Sequence, residues 1–124
     1  MRLAREGAAA GPLIQGFARG GFRIDDKVFT SLLITPERAE SWQAPPPVEA
    51  LEPDALAPLL ALDPMPEFIL LGTGATLRHP PRALVDTLEA QGVGVAAMDS
   101  RAAARAWGVL RQEGRWIAGA LYPL

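Results

Sequence analysis

Two stretches of this 124-residue chain carry residue types that could do chemistry. The first is Gly72-Thr73-Gly74, directly after the apolar run Phe68-Ile69-Leu70-Leu71. Two glycines behind a strand permit the tight turn and close backbone approach that a pyrophosphate needs. An acid at the end of the next strand would hold a ribose, and Asp99 stands at that place. The second stretch is Asp99-Ser100-Arg101 with Arg105. The two arginines share one helical face. With Ser100 and the N–H groups of a helix start they could form an anion pocket. In an open α/β sheet both stretches would meet at the carboxyl ends of parallel strands, where ligands bind.

The plainer alternatives are preferred at both places. The third glycine of a dinucleotide loop is replaced by Leu77, and Pro80-Pro81 displace the next helix from the glycines. Proline keeps the residue before it out of the helical region, so the helix dipole and free N–H groups point elsewhere. No Gly-Lys-Ser/Thr follows, so a P-loop fails as well. The GTG is therefore expected to turn the chain. Asp99 or Ser100 is expected to cap a helix, with Arg101 and Arg105 solvated. Glu113-Gly114-Arg115 reads as a helix stop, with Glu113 and Arg115 pairing across the turn.

Other chemistry is scarce. The chain has no cysteine and one histidine, His79. That removes thiolate nucleophiles and disulfides, and it makes a zinc site improbable. No catalytic residue, metal or cofactor is assigned. A net charge of −2 argues against nucleic acid as partner. The longest apolar runs, FILL and SLLI, are too short to cross a bilayer. No secretory leader is legible before Pro12, so a cytoplasmic location is expected.

The surrounding pattern says what must position these residues. Residues 1–124 read as one domain, with residues 1–11 as a flexible N-terminal arm. Leu13 to Ile24, centred on Gly20-Gly21, reads as a hairpin. Asp25-Asp26-Lys27 is a turn, and Val28 to Thr35 reads as one strand ended by Pro36. Pro36 to Pro53 is expected to be an extended connection anchored by Trp42. Pro53 suits the first turn of a helix bearing Leu56, Leu59 and Leu60. FILL has the continuous apolar character of a buried parallel strand. A helix with Leu84, Val85 and Leu88 follows, closed by Gly92. Val93 to Met98 is a strand, Arg101 to Glu113 a helix, and Arg115 to Tyr122 the final strand. Strand and helix alternate through this half, which makes the fold class α/β.

Trp42 after a strand, a Leu-rich helix, PEFILLGTG and MDSRAAARAWGVLRQEGRWIAGAL together resemble a known family. It is the family of small α/β proteins that includes mitochondrial respiratory complex I assembly factor 3 and the adipogenesis-associated domain protein. Met98, Asp99, Arg105, Glu113, Gly114 and Arg115 keep the family wording. Ser100 stands where the family has Thr, Ala104 for Cys, Ala106 for Thr and Gly108 for Asn. The resemblance implies a single three-layer domain with a mixed central sheet, helices on one face and N-terminal strands on the other. It implies protein partners, no established enzyme activity, dimeric relatives, and a role in assembling a membrane-associated complex. A homodimer and a location peripheral to the inner membrane follow as expectations.

Overall fold

Turn chemistry sets the N-terminal part. The computed structural model describes residues 11–124, so the arm expected over residues 1–11 lies, apart from Gly11, outside the described residues. Strands β1 (Gly16–Ala18) and β2 (Gly21–Ile24) pair antiparallel across Arg19 and Gly20, both at positive φ. That is the backbone sense of the two-residue turns that match strand twist. β2 pairs β3 (Lys27–Phe29) across Asp25-Asp26, completing a three-stranded sheet.

The single strand expected from Val28 to Thr35 is two strands. β3 belongs to the small sheet, whereas β4 (Leu32–Ile34) belongs to a separate five-stranded sheet. The chain turns the corner at Thr30-Ser31. Ser31 secures it, because its hydroxyl donates to the Trp42 carbonyl at 2.8 Å and its carbonyl accepts the Trp42 N–H at 3.1 Å. The connection after Pro36 also holds an element the pattern did not announce. β5 (Ala39–Ser41) pairs antiparallel with β4 at the edge of the larger sheet. Trp42 itself is buried and packs edge-on against Tyr122, with ring centroids 4.8 Å apart.

The five-stranded sheet has the order β5-β4-β8-β6-β7. β6 (Phe68–Gly72) runs parallel to β7 (Gly94–Met98) and to β8 (Ala118–Leu121), and β4 meets β8 antiparallel. The mixed central sheet is thus as expected. On one face lie α1 (Ala57–Leu60), reached through a 3-10 turn from Pro53, and α2 (Arg82–Ala90). Leu56, Leu59, Leu84 and Leu88 pack there with Ile69 and Leu71. The other face carries the three-stranded sheet, through Phe22 and Ile24. α3 (Ser100–Gln112) shares this second face, burying Ala103, Ala104 and Trp107 against Leu70 and Leu121. Helices therefore flank both faces. Alternate residues of β6 feed the two cores, as the two-residue period of a strand requires. Trp107 also donates from Nε1 to the Pro12 carbonyl at 3.0 Å, tying the start of the described chain to α3.

Candidate functional site

The carboxyl ends of β6, β7 and β8 converge where the sequence points. Tyr122 N–H donates to the Gly72 carbonyl, and Thr73 N–H to the Met98 carbonyl, each at 2.8 Å. Past Gly72 the chain turns at Gly74, whose φ of +104° suits glycine. The first turn of α3 meets it there. Ser100 N–H donates to the Gly74 carbonyl at 2.8 Å, and the Ser100 hydroxyl accepts the Gly74 N–H at 2.9 Å. The same hydroxyl donates to the Tyr122 carbonyl at 2.7 Å. Ser100 is fully buried, so its hydrogen-bonding capacity goes to the backbone of two other segments. Thr73 is buried too, its hydroxyl donating to the Thr76 carbonyl at 2.7 Å and accepting the Arg78 N–H at 2.9 Å.

Gly72 is set by proximity. A Cβ there would come within 2.9 Å of the Ser100 Cα and hydroxyl oxygen. The two segments meet backbone to backbone. Asp99 sits beside this junction as the helix cap, accepting the Ala102 N–H at 2.9 Å, a local bond that satisfies one otherwise orphan donor.

The structure splits the seven candidate residues into two groups. Gly72, Thr73, Gly74, Asp99 and Ser100 are brought together as a hydrogen-bonded junction. Arg101 and Arg105 face the N-terminal strands. The Arg101 guanidinium lies 4.8 Å above the Phe17 ring of β1. Arg105 borders a shallow cleft of about 180 Å³ with Ile14, Gln15 and Phe17.

Glu113 ends α3 and Gly114 reverses the chain at φ +76°. Arg115, however, reaches Glu67 across the fold: Nη2 and Nε lie 2.7 and 3.0 Å from Oε1. The Arg115 hydrogen bond holds the Glu67 carboxyl below the usual carboxylate range, and Glu67 in turn raises the Arg115 value. Both side chains are about half exposed, so the pair fastens the start of β6 to the approach to β8 at modest gain.

Three features escaped sequence reasoning. Arg78 forms a bidentate pair with Glu49, at 2.9 and 2.7 Å. Tyr122 donates its hydroxyl to the Pro46 carbonyl at 2.6 Å, and burial pushes its pKa up to about 12. A groove of about 380 Å³ runs between β7 and α2, lined by His79, Pro80, Arg82, Val85, Val95 and Ala97. Its one sequence signal is the alternation of Val93, Val95 and Ala97. Among the described residues no cluster of His, Cys, Asp or Glu is placed to hold a metal. Among the same residues no helix is long and apolar enough to cross a membrane.

Comparison with known proteins adds the lineage. The chain is similar to an uncharacterised protein of Rhodobacter capsulatus, at 39% identity over 97% of this chain and 92% of the relative. It is 27% identical to the NADH dehydrogenase [ubiquinone] 1 alpha subcomplex assembly factor 3 of Danio rerio, over 94% of this chain and 67% of that protein. The crystal structure of a Bordetella parapertussis protein superposes with a TM-score of 0.81 at 32% identity, covering 93% of this chain and 98% of the other. Residues 14–122 match the family described as "protein of unknown function (DUF498/DUF598)". The resemblance carried by Trp42, the GTG strand and the Met98–Leu121 block thus holds over nearly the whole chain, and the protein belongs to the DUF498/DUF598 family.

Proposed function

We propose that the protein is a partner-binding factor, not an enzyme, serving the assembly of a membrane-associated respiratory complex. It would work in the cytoplasm, peripheral to the inner membrane through its partner, with a homodimer as a further expected state. The observation that carries this reading is the likeness, along 94% of the chain, to a protein named as an assembly factor of NADH dehydrogenase. The junction at Ser100 is in keeping with it, because the Ser100 hydroxyl at the strand ends is engaged by backbone at 2.7 and 2.9 Å.

The test is quantitative affinity purification of the tagged full chain from its native host, from soluble and detergent-solubilised membrane fractions. Respiratory subunits or their assembly factors should be enriched over a tag-only control. Cells lacking the protein should show less assembled NADH dehydrogenase on native gels. No specific partner in either fraction, with unchanged complex levels, sinks the proposal.

A second reading, an anion-binding domain, is favoured by one observation. Arg101 and Arg105 are exposed on one face of α3, and among the described residues neither is ion-paired. On this reading Gly72, Thr73, Gly74, Asp99 and Ser100 form the support and the two arginines the contact surface. Thermal-shift screening against phosphates, nucleotides and carboxylates tests it, since ligand at about 100 times its Kd stabilises by ~2.7 kcal/mol. A shift lost in the Arg101→Ala, Arg105→Ala double variant supports the reading. No shift with any ligand ends it.

A further inference from the structure

β7 is the open edge of the central sheet, and its geometry states which groups are on offer. Among the described residues its one partner is β6. The Gly94 N–H donates to the Glu67 carbonyl at 3.1 Å, and the Met98 carbonyl accepts the Thr73 N–H at 2.8 Å. Residues 94 and 98 thus turn their backbone groups toward β6. By the two-residue alternation of a strand, Val95 and Ala97 aim N–H and C=O away from it. The side chains of Val95 and Ala97 lie on the α2 side, where they pack with the first core and floor the groove of about 380 Å³.

Natural sheets blunt such edges with charge, proline, a bulge or short length. β5, at the opposite edge, is three residues long and carries Glu40, which pairs with Arg38 just before the strand. β3, at an edge of the small sheet, begins with Lys27. β7 spans five residues, Gly-Val-Ala-Ala-Met, with neither charge nor proline, and every residue is part-exposed. It has no such protection. The groove beside it is apolar along Val85, Val95 and Ala97. It ends at Arg82, which is exposed and has no ion pair among the described residues, with His79 next to it. No acid lines it.

We infer that the β7 edge and its groove receive an extended segment of a partner protein, added as a sixth strand, whose groove-facing side chains alternate from apolar to acidic. Main-chain bonds to Val95 and Ala97 supply the pairing, and alternate side chains supply the selection. The apolar residue rests on Val85, Val95 and Ala97. An Asp or Glu two positions along meets Arg82. This deepens the partner-binding reading and rests on it.

The test uses the full chain, labelled with nitrogen-15, and acetylated, amidated octapeptides alternating Thr and Val. One groove-facing Val is replaced by Glu, Gln or Lys. The Glu peptide should slow hydrogen exchange at the Val95 and Ala97 amides by at least about tenfold, and leave Gly94 and Ala96, already turned to β6, unchanged. It should bind about fivefold more tightly than the Gln peptide, and Arg82→Glu should invert the order of the Glu and Lys peptides. Arg82→Gln, which removes the charge without reversing it, should make the Glu and Gln peptides equal. The proposal is overturned if millimolar peptide leaves Val95 and Ala97 exchange unchanged, or if the order survives Arg82→Glu. It is also overturned if the two amides are already protected without peptide and lose protection on dilution as a dimer dissociates, since a second copy then holds the edge. Carrying Arg82→Glu through the affinity purification separates the two levels. Partner recovery unaffected by the variant removes this surface and leaves partner binding standing, whereas absence of any partner for the unaltered chain removes the function itself.

Discussion

The Ser100 hydroxyl oxygen lies 2.9 Å from the Gly74 backbone nitrogen, joining the first turn of α3 to the loop that leaves β6. Since the same hydroxyl donates to the Tyr122 carbonyl, one small side chain completes three chain segments at once. Ser100→Ala leaves a buried donor and a buried acceptor without partners, each worth about 1–3 kcal/mol. Urea denaturation should show a loss of about 2–6 kcal/mol. A loss below about 0.5 kcal/mol would mean that water or a shifted backbone replaces the hydroxyl.

Gly72→Ala tests the same junction by adding volume. The new methyl would meet the Ser100 Cα at 2.9 Å and the Leu121 Cγ at 3.0 Å, and the Ser100 backbone cannot yield without moving α3. Overpacking of this kind costs about 1–3 kcal/mol. Calorimetry should record a lower Tm with the fold retained. An unchanged Tm would show the approach to be looser than described.

Tyr122 gives an alkaline signature. Its pKa is raised in the folded chain from 10.0 to about 12, chiefly by burial. A raised value means the stabilisation is fully present below pH 10.0 and is lost as pH climbs toward about 12. Tyr122→Phe should be less stable at neutral pH by about 1 kcal/mol, the worth of a hydrogen bond to a carbonyl. The gap between the two proteins should shrink through that alkaline window. A constant gap across it refutes the assignment.

The Glu67–Arg115 pair has the opposite pH sense. The Glu67 value is depressed below 4.5, so its contribution is present above that pH and disappears as pH falls through the folded value. Glu67→Gln should be slightly less stable than the unaltered chain at neutral pH and indistinguishable from it in strong acid. Added salt should narrow the neutral-pH difference, because both groups are exposed. Equal gaps at neutral and acid pH would show that the loss does not come from the Glu67 charge.

What could be read from the chain was local. FILL and VGVAAM announce β6 and β7 by composition, Asp99 announces a cap, and Gly92 and Gly114 stand at helix stops with φ of +87° and +76°. What escaped was decided by distant partners. Val28 to Thr35 is uniformly strand-like, and only the pairing of β3 with β2 and of β4 with β8 splits it between two sheets. β5 is three residues of mixed polarity, too short for a two-residue pattern to register. The side of the sheet that α3 covers depends on Trp107 meeting Phe22 and Ile117, which helical spacing does not encode. At the candidate site, residue types identified the right neighbourhood of Gly74 and Ser100. Whether a serine at a helix start faces solvent or backbone depends on the register that brings Tyr122 beside Gly72, and Arg115 finds its acid 48 residues away.

The strand order β5-β4-β8-β6-β7 carries a consequence for how the chain is made. β8 lies between β4 and β6, yet it is translated after both of them and after α1, α2 and α3. Until residues 118–121 are available, the pairs β5-β4 and β6-β7 lack the strand that joins them. The sheet closes only when its middle arrives, so β4 and β6 must wait through the synthesis of α2, β7 and α3.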